Sequence, residues 1–186
     1  MTTTYAALLR GINVSGHKKV PMAQLRALLT ELGHRDVRTY LQSGNAVFTT
    51  DVDASAAAED ALAAALERAI ETHFGFSVDC LVRSGAYLKA VADACPFPAA
   101  ELQARQLHVT YFSGPVAPDR FASIDPAAYL PEEFRLGDRV LYLYAPDGLG
   151  RSKLAEVLAR PALLKGVTGT TRNWNTVTKL VEMTRD

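Results

Sequence analysis

Cysteine is scarce in this 186-residue chain, and a bias of charge is missing altogether. Cys80 and Cys95 fit no CxxC or Cys/His spacing, which excludes a zinc ribbon, a redox pair of that type and a disulfide framework. Both read as small buried hydrophobes. The 20 Lys and Arg balance the 20 Asp and Glu, so no global field recommends nucleic acid or a membrane surface as partner. No apolar run approaches the roughly 18 residues of a membrane span, and no charged start followed by an apolar stretch marks a secretory signal. A cytoplasmic protein without a membrane partner is the expectation. His17, His34, His73 and His108 are scattered, with no HExxH and no neighbouring carboxylate at ligand spacing, so no metal site is expected. Ser15 and Ser43 stand outside GxSxG, and the nucleotide motifs GxxxxGK[ST] and GxGxxG are absent.

What is present is an ordinary globular composition, 48% hydrophobic and 22% charged, in a chain long enough to bury a core without staples. "TYAALLRG" (4 to 11) reads as a buried strand. "PMAQLRALLTELG" (21 to 33) reads as a helix with Met22, Leu25, Leu28, Leu29 and Leu32 on one face. "DVRTYLQ" and "NAVFTT" flank Ser43-Gly44 as a hairpin. Asp53 is placed to cap an alanine-rich helix whose stripe is Ala58, Leu62, Leu66, Ile70 and Phe74. In "FSVDCLVR" Phe76, Val78, Cys80 and Val82 share a face, and a further helix runs from about 84 to 95.

Beyond "PFPAAELQA", read as a linker, "LHVTYFSG" is strand-like, "PDRFASI" is a short helix, and "EEFRLGDRVLYLYAP" is a hairpin turning at Gly137-Asp138. A helix from Ser152, an extended piece at 167 to 171 and a helix from Trp174 complete the chain. The order β-α-β-β-α-β thus occurs twice. It predicts an α+β fold of duplicated ferredoxin-like halves with antiparallel sheets and an extra C-terminal helix, divided as 1–95, a linker at 96–106, and 107–186.

Charge is balanced overall but not locally. Residues 10 to 29 carry Arg10, Lys18, Lys19 and Arg26 with no carboxylate, and 151 to 181 carry six Lys or Arg against Glu156. Residues 51 to 79 compensate with seven carboxylates against Arg68. "RGINVSGHKKVP" (10 to 21) is a polar loop leading into a helix N-terminus, where backbone N–H groups and the helix dipole favour an anion. The alternative is a solvated loop. "DGLGRSKL" (147 to 154) repeats the device, with Ser152 as N-cap beside Lys153, although capping alone explains that serine. Gln42 and Asn45 offer amides beside the hairpin, and the same residues also suit a turn.

The runs "RGINV", "KVPM", "QSGN" and "TRNWNT", with "GRSKL", resemble the bacterial family called domain of unknown function 1697 over nearly the whole chain. The resemblance implies an α+β architecture with ferredoxin-like halves and places Arg10, Asn13, Lys19, Gln42, Ser43, Asn45, Ser152, Lys153, Arg172, Asn173 and Thr176 in shared signatures. It implies no reaction, cofactor or catalytic residue.

The leading expectation is therefore a small anionic, phosphate-containing ligand in a cleft between the halves. Lys18, Lys19, Lys153 and Arg172 would act as charge partners and Asn13, Gln42, Asn45 and Asn173 as orienting groups. A protein or nucleic-acid interaction module and an enzyme with an unrecognised site remain as rivals; nucleic acid is the less favoured partner because no RNP1-like pattern accompanies the tyrosines. Trp174, Val177, Leu180 and Val181 recur at helical spacing, so Trp174 is expected to anchor the last helix while Arg172, Asn173 and Thr176 stand at its polar start.

Overall fold

The computed structural model describes residues 2–185. The fold is α+β, with two four-stranded antiparallel sheets and five α-helices among the described residues. In chain order the first part holds β1 (Thr3–Leu9), α1 (Met22–Glu31), β2 (Arg35–Tyr40), β3 (Asn45–Thr50), α2 (Ala56–Phe74), β4 (Cys80–Ser84) and α3 (Gly85–Asp93). The rest holds β5 (Leu107–Phe112), β6 (Glu133–Gly137), β7 (Val140–Tyr144), α4 (Lys153–Leu158), β8 (Gly169–Asn173) and α5 (Trp174–Met183). The sheet orders are β2-β3-β1-β4 and β6-β7-β5-β8, the second repeating the first with each strand number raised by four. Two compact units result, Met1–Lys89 with Leu180–Asp186, and Ala90–Lys179.

In the first unit, alternate residues of the central strands, Tyr5, Ala7 and Leu9 with Ala46 and Phe48, join Leu25, Leu28 and Leu29 of α1 and Ala63, Leu66 and Ile70 of α2 in one core. Burying each large side chain there is worth about 1.5–3 kcal/mol. The intervening Ala6 and Leu8 are also fully buried. A strand covered on both faces has no place for polar alternation, which is why its sequence reads as an unbroken apolar run. Val78, Cys80 and Val82 enter the same core as their alternation predicts, with Phe76 packed beside them.

Two carboxylates on α2 were hidden from periodicity. Glu67 accepts a hydrogen bond from the Cys80 backbone N–H at 3.0 Å, and Glu59 accepts from that of Ser84 at 2.9 Å. Eight helical residues rise about 12 Å, and four strand residues span about 13 Å. The two acceptors therefore match two donors on the outer edge of β4, the sheet's last strand. Occupied donors on an edge cannot template another chain.

Four local expectations are corrected. The cap of α2 is Ser55, whose hydroxyl accepts from Ala58 N at 3.0 Å, rather than Asp53. Tyr40 pairs with Asn45, so the first hairpin is closed by four residues, 41 to 44, rather than by Ser43-Gly44 alone. Gly137 pairs with Val140, which makes Asp138-Arg139 the second turn, with Arg139 at φ 57°. The segment "PDRFASI" forms a 3₁₀ turn, Pro118–Phe121, followed by another at Pro126–Tyr129, each with a proline at its start. The first turn supplies Phe121 to the second unit's core, the link between the two turns Ile124, and α4 Leu154, Val157 and Leu158.

Candidate functional site

The polar loop between β1 and α1 is an ordered miniature hairpin. Arg10 N–H donates to Asp79 O at 2.9 Å, extending the β1–β4 ladder by one step. Gly11, at φ 68°, then turns the chain, and Ile12 and Val20 are buried as the two feet of the loop. Between them Asn13 N–H donates to Lys18 O at 3.1 Å and His17 N–H to Val14 O at 2.9 Å. The turn residues Ser15 and Gly16 have φ of 52° and 76°, left-handed at both centres as a two-residue hairpin of right-handed twist requires. Asn13 and Lys18 are left-handed as well, at 55° and 46°. Such residues persist only where surrounding contacts over-determine them, and they concentrate at functional sites.

The main contact that over-determines the loop is the Asn13 amide. Its Nδ2 donates to Val20 O at 3.0 Å and to Gln42 O at 2.7 Å, while Oδ1 accepts from Val20 N–H at 2.8 Å. The loop is thereby tied to the β2–β3 turn. That turn is fixed in its own right: Leu9 N–H donates to Gly44 O at 2.8 Å, and a Cβ on Gly44 would lie 2.8 Å from that of Leu9. Gly44 also sits at φ 100°, so both packing and backbone demand glycine there.

The ordered loop brings Arg10 and Lys18 to one recess of about 430 Å³, lined with them by Gly11, Ser77 and Asp79. Lys18 Nζ donates to Ser77 O at 2.7 Å, which leaves two of its three ammonium hydrogens uncommitted. Arg10 Nη1 stands 3.8 Å from Asp79 Oδ2, with both side chains more than half exposed. At that distance the contact is coulombic rather than a hydrogen bond. Two cations against one carboxylate leave the lining with a formal surplus of one positive charge. The first turn of α1 takes no part in the lining, so the cations meet Asp79 and Ser77 instead of the helix N-terminus expected from the sequence.

The other expected residues divide by what their polar groups already do. Lys19, Gln42 and Ser43 are exposed. Asn45 is fully buried, and its Nδ2 donates to Tyr40 O at 2.8 Å and to Ser43 Oγ at 3.3 Å, a clasp across the turn. Ser152, Lys153, Arg172, Asn173 and Thr176 belong to the second unit. Ser152 is buried, donates to Glu132, and accepts from Ala155 N–H at 2.9 Å as the cap of α4; Lys153 is exposed. Arg172 is buried and donates to Thr170 Oγ1 at 2.7 Å and Thr171 O at 3.0 Å. Burial pushes its guanidinium down to about 10, against the opposing influence of Tyr111. Asn173 Oδ1 accepts from Thr176 N–H at 3.0 Å, capping α5, and Thr176 is buried. Trp174 is only half-buried, while Val177 and Leu180 are fully covered, so the aliphatic residues anchor α5 more completely than the tryptophan expected to do so.

Asp79 and Ser77 were not among the expected ligand residues. The alternation in "FSVDC" does place Asp79 off the apolar face, but nothing in its neighbourhood links it to Arg10. A second concavity, about 540 Å³, lies between α1 and α2 against Leu28, Leu32, Ala65, Ala69, Thr72 and His73, and contains none of the expected residues. Cys80 is buried, and desolvation raises its thiol far beyond the ordinary range, which removes it as a nucleophile. Among the described residues no group of three or more His, Cys, Asp or Glu is arranged to hold a metal ion, and no helix is long and apolar enough to cross a membrane.

A family model described as "Protein of unknown function (DUF1697)" matches residues 1–142, a span that includes the entire recess lining. A solved structure of a conserved bacterial protein from Streptococcus pneumoniae is similar over 100% of both chains, with 27% identity and a TM-score of 0.78. No curated protein matches the chain.

Proposed function

Because the chain belongs to the DUF1697 family, whose function is unknown, we propose a role from the loop itself: the first unit binds a small anionic, phosphate-containing ligand in the recess beneath the 10–20 hairpin. The observation that carries this reading is the convergence of Arg10 and Lys18 on one recess with donors to spare. Its volume falls within the roughly 300–1,000 Å³ typical of small-molecule sites. The left-handed Asn13, Ser15 and Lys18 support it further, since strain held by a dedicated clamp is preorganisation.

Arg10 and Lys18 hold the anion, with Lys19 as an exposed neighbour. Asn13 and Asn45 position the loop and turn rather than contact the ligand, because their amides are engaged by backbone carbonyls. Ser152, Arg172 and Asn173 are left out because their polar groups are also engaged, Ser152 and Asn173 accepting from backbone N–H groups and Arg172 donating to a backbone carbonyl. Each half reads as ferredoxin-like, a reading supported by strand order, and a cytoplasmic setting accords with two free cysteines.

Thermal unfolding of the purified protein with added inorganic phosphate tests the proposal. Phosphate at 100 times its dissociation constant adds about 2.7 kcal/mol of stability, and the increment shrinks as sodium chloride is raised because the site is exposed. A midpoint indifferent to phosphate at low salt would contradict it.

A further inference from the structure

The recess contains an acceptor as well as donors, and that combination narrows the ligand. Asp79 lies in the same lining as Arg10 and Lys18, with its side chain more than half exposed. Its contact with Arg10 is 3.8 Å long, so the carboxylate keeps its hydrogen-bond acceptor sites for another partner. A site evolved for a bare anion gains nothing from a carboxylate, which repels the ligand and competes for Arg10. A carboxylate beside two cations suits a ligand that is itself bipolar.

We propose that the ligand is a small anion bearing a hydroxyl group close to its anionic group, and that Asp79 is the residue that selects for the hydroxyl. Arg10 and Lys18 take the anionic end, and Asp79 accepts a hydrogen bond from the neighbouring hydroxyl. The recess, about 430 Å³, has room for more than a phosphate, whose volume is a small fraction of a typical ligand site. Asp79 also enforces specificity by exclusion: an anion lacking a donor leaves the carboxylate facing a like charge with no bond in return. This inference rests on the anion-binding reading above and adds the chemical class of what is bound.

Two phosphomonoesters of equal charge, glycerol 3-phosphate and methyl phosphate, separate the inference from the reading beneath it when titrated calorimetrically into the wild type and Asp79→Ala. The wild type is expected to bind glycerol 3-phosphate about tenfold more tightly, the order of one hydrogen bond to a charged acceptor. Asp79→Ala is expected to abolish that preference while tightening methyl phosphate, because Arg10 loses its competitor. Equal affinities in the wild type, or a preference that survives Asp79→Ala, would overturn the role of Asp79 and leave anion binding intact. Binding of neither ester to either protein would overturn both. The thermal midpoint of Asp79→Ala, a change at an exposed side chain, confirms that the variant is folded before titration.

Discussion

The side-chain amide of Asn13 and the backbone carbonyl of Gln42 are joined by a 2.7 Å hydrogen bond that couples the β1–α1 loop to the β2–β3 turn. The two runs that the sequence presents as separate polar motifs are one structural unit. Asn13 serves it twice, through three hydrogen bonds and through tolerance of a left-handed backbone.

Replacing Asn13 separates these two services. Asn13→Ala loses all three bonds and strains the backbone, a cost of about 3 kcal/mol at about 1 kcal/mol per bond. Asn13→Gly loses the bonds but accepts the conformation, and is expected to be less destabilised by up to about 1 kcal/mol. Denaturant unfolding of both variants gives the comparison; an Ala variant as stable as the Gly variant would mean that the left-handed backbone carries no cost.

The Glu59 and Glu67 contacts with β4 predict an ordered pair of effects. The bond from Ser84 N–H to Glu59 is buried, whereas that from Cys80 N–H to Glu67 is partly so. Truncation to Ala leaves a donor unsatisfied at about 1–3 kcal/mol each, with Glu59→Ala the costlier. The double variant also uncovers an edge, so sedimentation velocity is expected to show concentration-dependent association absent from the wild type. A monomeric double variant of wild-type stability would refute the edge-capping role.

His34 gives the first unit a pH dependence near neutrality. The ring is buried, stacks on Phe48 with centroids 4.2 Å apart, and its Nδ1 has no hydrogen-bond partner. Burial lowers its pKa below the ordinary 6.5, so the unfolded chain binds the proton more readily than the folded one. Stability therefore falls as pH drops below about 6.5, levels off below the folded value, and is restored as pH rises. His108 in the second unit is shifted in the same direction by the same cause. Unfolding midpoints measured from pH 8 to pH 5 should decline, and His34→Phe should flatten the decline; an unchanged slope in that variant would assign it elsewhere.

How much of this was legible depends on whether the signal is periodic. The stripes of α1 and α2, the alternation through Val78, Cys80 and Val82, and the buried run of β1 follow from hydrophobic spacing, and the core contains them apart from Ala58 and the exposed Leu32. The 10–20 hairpin escaped because "VSGH" lacks the Asn-Gly that usually announces such a turn, and serine does not signal the left-handed backbone that Ser15 adopts. Glu59 and Glu67 look like exposed helix charges; only the β4 edge, distant in sequence, shows why their carboxylates turn inward. Arg10 and Lys18 were legible as basic residues, but their meeting with Asp79 requires the β1–β4 pairing, which no local pattern encodes. Arg172 was legible as a cation, yet its burial among strand hydroxyls and carbonyls was not.

Isothermal titration of inorganic phosphate into the wild type and the Arg10→Ala/Lys18→Ala double variant decides whether Arg10 and Lys18 form an anion site. Saturable, salt-sensitive binding to the wild type is expected, with at least about a tenfold loss in the folded double variant, the minimum expected from removing charge-assisted hydrogen bonds. Equal phosphate affinity in the two proteins would mean that Arg10 and Lys18 do not hold the anion.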